Sequence, residues 1–172
     1  NFAPVNGTAE ATGLSEASVD LIVAGQAFHW FDKDATKPEF QRILKPGGYV
    51  ALLWNIRKED SSSFQIAYDE LLRDFDTDGG SQAAKGTQHG GHGDLDHFFG
   101  VGQYELATFD NEQTFDFEGF CGRLLSASYM PLPGQPRYEA LIEQAQAAFE
   151  AHQQNGRARL DYVTEVYWGQ LN

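Results

Sequence analysis

Two stretches of this chain are almost continuously apolar, residues 19–23 (Val-Asp-Leu-Ile-Val) and 49–54 (Tyr-Val-Ala-Leu-Leu-Trp). Runs of this kind predict strands buried on both faces by helices, as in parallel sheets. Between them, Thr36-Lys37-Pro38-Glu39 reads as a capping box with proline in the first turn. Phe40, Ile43 and Leu44 then share one helical face, and Pro46-Gly47-Gly48 stops the helix. The first third is therefore predicted to be a strand, helix, strand unit, the right-handed crossover from which doubly wound α/β sheets are built.

Helical spacing returns at Phe64, Ala67, Tyr68, Leu71, Leu72 and Phe75, behind an Asp60-Ser61-Ser62-Ser63 start, and predicts a helix covering one face of the sheet. Residues 76–93 are rich in Gly, Gln, His and Thr, which predicts a mobile surface loop within one domain. Residues 104–109 and 113–117 look like strands. Phe117, Phe120, Cys121, Leu124, Leu125 and Ser128 mark a helix that ends before Pro131. The clearest helix carries Tyr138, Leu141, Ile142, Ala145, Phe149 and His152, is ended by Asn155-Gly156, and leads into an alternating strand over 159–168. Five strands and four helices in a single domain over residues 1–172 are the expectation.

Composition narrows the function classes. A hydrophobic content of 41% with 13% aromatics supports a packed core. Twelve Lys and Arg against 25 Asp and Glu give a net charge of -13, which repels polyphosphate backbones and anionic membranes, so neither is expected as a partner. No apolar run approaches the length of a membrane span, and the one cysteine, Cys121, has no second thiol in the chain to pair with. A soluble, cytoplasmic protein is expected. The chain opens on Asn1, not Met, which suggests either that something upstream has been removed or that this is part of a longer reading frame.

Three segments, in this order, carry a resemblance: Asn6-Gly7-Thr8-Ala9-Glu10, then residues 19–31 ending Ala24-Gly25-Gln26-Ala27-Phe28-His29-Trp30-Phe31, then Leu44-Lys45-Pro46-Gly47-Gly48. Together they resemble the class I S-adenosylmethionine-dependent methyltransferases from the family's third strand onward. Phe115-Asp116-Phe117-Glu118-Gly119, residues 122–129 and Glu165-Val166-Tyr167-Trp168-Gly169 are similar to a small-molecule branch related to trans-aconitate methyltransferases. The resemblance implies a partial Rossmann-like doubly wound α/β sheet, the carboxy-terminal two-thirds of a methyltransferase domain, with the first two strands absent and an antiparallel last strand. It implies S-adenosylmethionine as cofactor and a small-molecule substrate. Thr8 and Ala9 would border the adenine, an edge with one donor and one acceptor, and Glu10 stands beside them. Thr8 occupies a position where the family more often has Asp, which removes charge assistance from that bond. Gly25, Gln26 and Ala27 would meet the methionine end, beyond the carboxyl end of a strand.

The family's Gly-rich loop and the acidic residue after its second strand have no counterpart here, so tight cofactor binding by this chain alone is not expected. Their absence would also leave residues 19–23 as a long apolar edge, through which a homodimer or a further part of the protein would pair. Methyl transfer is an in-line displacement that asks mainly for positioning and exclusion of water. His29 is the candidate base for a hydroxyl or amine acceptor, by its place at a strand end and its near-neutral pKa, with a packed histidine as the other reading. Arg57 or Arg123 would orient a carboxylate, although a surface arginine is the alternative for Arg123. Trp30 and Tyr129 would line the substrate pocket, with Ser126 and Ser128 as further candidates. His89, His92, Asp94, Asp96 and His97 have metal-ligand chemistry but sit in a Gly-rich stretch, and no metal is expected. Non-catalytic association is the alternative function, and a nicotinamide enzyme is disfavoured because no Gly-x-Gly-x-x-Gly follows a strand.

Overall fold

The computed structural model describes residues 2–59, 61–79 and 92–171, with side chains described throughout except at His92 and Gly93. In chain order the elements are β1 (Val19–Gly25), a single 3-10 turn (Phe28–Trp30), α1 (Lys33–Ile43), β2 (Leu44–Arg57), α2 (Ser63–Asp74), α3 (His92–Phe99), β3 (Tyr104–Phe115), α4 (Phe117–Leu125), α5 (Tyr138–His152) and β4 (Ala158–Gly169). The strands form one mostly antiparallel sheet in the order β1-β2-β4-β3, with β1 and β2 parallel. The α/β class is as expected, and so is the edge position of β1. Leu21 and Val23 on that edge strand are 54% and 58% exposed.

The residues group into two compact units. The first comprises Asn1–Asn55, Thr87–Phe109 and Thr164–Asn172, and the second Ile56–Gly86 and Asp110–Val163. In the first, Phe28 is fully buried, with ring centroids 5.9 Å from Phe31, 6.2 Å from Trp54 and 4.8 Å from Phe98. Burial of one such ring stabilises by about 1.5–3 kcal/mol. In the second, Phe64 lies 5.0 Å from Phe120 and 6.5 Å from Phe149, inside a core that includes Leu71, Leu124, Leu141 and Leu160.

Helix α1 begins one turn before the predicted capping box. Asp32, not Thr36, is the N-cap, its carboxylate accepting from the amides of Asp34 and Ala35 at 3.1 and 3.2 Å. An earlier side-chain cap satisfies the orphan amides first, so the helix starts there. Pro38 falls inside the helix, and Glu39 turns away to accept from Thr12 instead of closing a box. The Lys45-Pro46-Gly47-Gly48 segment interrupts the β1/β2 register, which jumps from Val19↔Leu44 to Leu21↔Tyr49. Gly47 has φ 80, and a Cβ on Gly48 would lie 2.8 Å from Leu44 Cδ2 and 3.0 Å from the Asp20 carbonyl. Only glycine fits that approach without a shift.

Further expectations change. The two strands expected over 104–109 and 113–117 are one strand, β3, because its polar residues lie in a largely exposed strand instead of a turn. Helix α3 was not predicted, yet Leu95, Phe98 and Phe99 sit at i, i+3 and i+4 and are buried. Asn155 and Gly156, with φ 53 and 78, make the tight turn between α5 and β4, closed by mutual backbone bonds of Gln154 and Arg157. Helix α4 ends at Leu125 with Ser126 as its C-cap, leaving Ser128 beyond it. Residues 80–91 of the expected loop lie outside the described residues. Among those described, no helix is long and apolar enough to cross a membrane.

Candidate functional site

In the first unit the chain leaves β1 through an unusual turn. A Cβ built on Gly25 meets nothing within 4 Å, so the strand ends in open space. Gln26 follows with φ 55, a left-handed conformation that costs a residue other than glycine about 1–3 kcal/mol. It is held there by bonds to β2: the Gln26 amide donates to the Leu53 carbonyl at 2.9 Å and its Nε2 to the Asn55 carbonyl at 3.3 Å. The Ala27 carbonyl accepts from the Trp30 amide at 2.9 Å, which closes the 3-10 turn.

The turn sorts its three aromatic residues. Phe28 enters the core, whereas Trp30 is 81% exposed and His29 is half-buried, their rings 4.9 Å apart. His29 Nδ1 is buried without a hydrogen-bond partner. Burial, followed by the nearby charge of Lys33, holds the His29 pKa below its ordinary value of 6.5. The imidazole is consequently neutral at pH 7, the form that accepts a proton. Lys33 Nζ is 3.5 Å from the His29 carbonyl and 3.5 Å from Asp94.

Upstream, Thr8 and Ala11 close a small backbone bridge around Ala9 and Glu10. The Glu10 carboxylate accepts from the Asp32 amide at 3.1 Å and the Thr36 hydroxyl at 3.5 Å. Its own backbone amide, the Thr8 hydroxyl and the Asp32 amide keep its pKa low. Glu10 thereby braces the start of α1, and Thr8 gives its proton to Glu10 while keeping oxygen lone pairs for another donor. Between this segment, β1 and α1 lies an open cleft of about 360 Å³, lined by Ala9, Leu21, Val23, Ala24, Phe31 and Phe40 among others. An apolar slot with Thr12 as the polar side chain on its lining suits a flat heteroaromatic ring.

The second unit brings Arg57, Arg123 and Tyr129 together, and adds residues that the sequence pattern did not single out. The Arg57 guanidinium lies 5.4 Å from the centroid of Tyr68, and its Nε is 3.3 Å from Asp69 Oδ1, a close approach without hydrogen-bond geometry. Burial pushes the Tyr68 hydroxyl up to about 12 against the pull of Arg123 and Arg57, and burial likewise raises Tyr129. Gln65, Tyr68 and Asp69 share one face of α2 at i, i+3 and i+4. That polar stripe beside the apolar one was the available signal for them.

The remaining candidates separate. The Ser126 hydroxyl accepts from Arg123 at 3.1 Å and donates to its carbonyl at 2.7 Å, as a helix cap does. His97 Nε2 is 2.7 Å from Asp34 Oδ1. Among the described residues, no three His, Cys, Asp or Glu side chains are grouped as metal ligands, and His89 lies outside them.

Residues 2–52 match the methyltransferase domain family. The same region is 51% identical over 51 residues to an uncharacterized methyltransferase of Schizosaccharomyces pombe, covering 30% of this chain and 20% of that protein. It is 47% identical over 53 residues to an uncharacterized methyltransferase of Mycobacterium tuberculosis, covering 31% and 22%. The matched part thus spans about a fifth of the length of these relatives. In structure the similarity is longer: a candidate type II methyltransferase from Anaeromyxobacter dehalogenans superposes with a TM-score of 0.60 at 22% identity, over 95% of this chain and 69% of that one. Residues 2–52 thus resemble the methyltransferase domain family, and the chain that carries them shares the fold of the Anaeromyxobacter dehalogenans protein.

Proposed function

We propose that this chain serves S-adenosylmethionine-dependent methyl transfer to a small-molecule acceptor. The observation that carries this reading is that the segment matching the family contains Thr8, Ala9, Glu10, Gly25, Gln26, Ala27 and His29. The cofactor supplies a methyl group on a sulfonium, an electrophile that needs no activation by acid. The chain supplies position. The apolar cleft, with Ala9 on its lining, would hold the adenine ring, and Thr8 next to Ala9 in the chain would offer an oxygen to the ring's donor. Glycine at 25 lets backbone approach the amino-acid end closely. Neutral His29 receives the proton of a hydroxyl or amine acceptor, and exposed Trp30 forms a wall that keeps water from the reacting atoms.

The exposed Leu21 and Val23 favour a further element of the same reading. In the working protein the β1 edge is covered, by additional sheet or by a second copy of the chain. Association alone, without catalysis, is the alternative that this edge supports.

The test is an NMR titration with S-adenosylhomocysteine, which binds without reacting. Saturable shifts confined to residues 8–11 and 24–30, and lost in Gly25→Val, are the expected result. A folded chain whose shifts fall elsewhere, or that shows none at saturating ligand, overturns the cofactor assignment.

A further inference from the structure

Of the buried side-chain polar atoms without a hydrogen-bond partner among the described residues, two belong to the first unit, His29 Nδ1 and Trp54 Nε1. Six belong to the second: Arg57 Nε, Gln65 Nε2 and Oε1, Tyr68 hydroxyl, Asp69 Oδ1 and Tyr162 hydroxyl. An unpaired buried polar group is destabilising, and native proteins retain few of them without cause.

These six atoms are not scattered. Gln65, Tyr68 and Asp69 share a helical face, Arg57 stacks on Tyr68, and Arg123 faces Tyr68, Tyr162 and Tyr129. Tyr162 lies close enough to Arg123 to support its charge, yet makes no hydrogen bond of good geometry. Charge sharpens the point. In a chain of net charge -13, Arg123 is half-buried and has no ion-pair partner among the described residues, and it donates a hydrogen bond to the neutral Ser126 hydroxyl. Arg57 is matched by Asp69. Asp76, the other acid near Tyr129, spends its Oδ1 on the amides of Asp78 and Gly79 at 3.1 and 2.8 Å.

One uncompensated guanidinium surrounded by unused hydroxyl and amide donors is the complement of a single small anion. A singly charged carboxylate would neutralise Arg123 and accept from the tyrosine hydroxyls. A doubly charged phosphate would bring a second negative charge beside Asp69, with no further cation to meet it. We propose that Arg123, Tyr68, Tyr162 and Gln65 form a carboxylate-binding site in the second unit. The site stands without the methyl-transfer reading.

The probes are monocarboxylates from acetate to hexanoate, the matching alcohols and inorganic phosphate, each titrated into the full chain without cofactor and followed by NMR. Carboxylates are expected to shift residues 57, 65, 68, 123 and 162 saturably, while alcohols do not. Arg123→Gln should weaken the binding at least tenfold, and Tyr68→Phe by about tenfold, the size of one hydrogen bond to a charged group. Tyr68→Phe removes only an unpaired hydroxyl, so it keeps the test valid should the arginine variant fail to fold. Binding unchanged in both variants, no binding in the wild-type chain, or tighter binding of phosphate than of carboxylate overturns the proposal. Repeating the titration with S-adenosylhomocysteine separates the two readings, because carboxylate binding with no cofactor response sinks the cofactor assignment alone.

Discussion

The interiors of the two units differ in kind. The first is an aromatic cluster in which Phe28, Phe40, Phe98 and Phe99 interlock edge to face and the polar groups mostly sit at the rim. The second has an aromatic cluster of its own around Phe120, but beside it lies a group of buried tyrosine and glutamine atoms with no hydrogen-bond partners. A core that only stabilises has no reason to keep unpaired donors. The contrast therefore separates packing from recognition more sharply than burial does.

The largest effect that tests this contrast is loss of a central ring. Phe28→Ala should destabilise by about 3–5 kcal/mol in urea unfolding, since the ring is fully buried among three others. Phe120→Ala should cost a similar amount, and a much smaller value would show that the second interior is loosely packed throughout. The hydroxyls give a smaller, signed difference. Tyr167 donates to Glu165 at 2.9 Å in the first unit, so Tyr167→Phe should lose about 1 kcal/mol. Tyr162→Phe in the second unit should be neutral or stabilising by up to about 1 kcal/mol, because no bond is broken. Equal losses at both positions would mean that Tyr162 is already satisfied.

Acidity adds two weaker tests in the first unit. The Glu39 carboxylate, held by Arg42 and by the Thr12 hydroxyl and amide, has its pKa lowered from 4.5 to about 2. Its contribution is present above about pH 4.5 and is lost as pH falls toward 2, so Glu39→Gln should flatten the acid limb of a stability profile. The lowered His29 pKa has the same sign. Stability should begin to fall as pH drops below 6.5, where the unfolded chain takes up the proton first, and His29→Gln should remove that slope. A proton titration midpoint for His29 at or above 6.5 would contradict the lowering of its pKa by burial.

Much of the fold was legible before any coordinates. The 19–23 run, the KPGG segment and the stripes of α2 and α5 carry periodicities that only one secondary structure satisfies, and the edge position of β1 follows from what should lie beside it. Helix α3 was missed because Leu95, Phe98 and Phe99 follow a stretch whose glycines and histidines suggest a loop. The start of α1 was misplaced because Thr36 and Asp32 both make good caps, and only the bonds of Glu10 and Glu39 to their neighbours decide between them.

For the sites the division is clearer still. Local sequence determined the turn from Gly25 to Trp30, since its residues are contiguous and its chemistry is that of one strand end. Sequence also named Arg57, Arg123 and Tyr129, but one at a time. That they share an interior with Gln65, Tyr68, Asp69 and Tyr162 was decided by tertiary structure, because these residues come from β2, α2, β4 and the α4 region, separated by up to 105 positions along the chain. Periodicity reports which face of an element is turned inward. Whether a polar group on that face finds a partner depends on the elements packed against it, and only the folded chain supplies them.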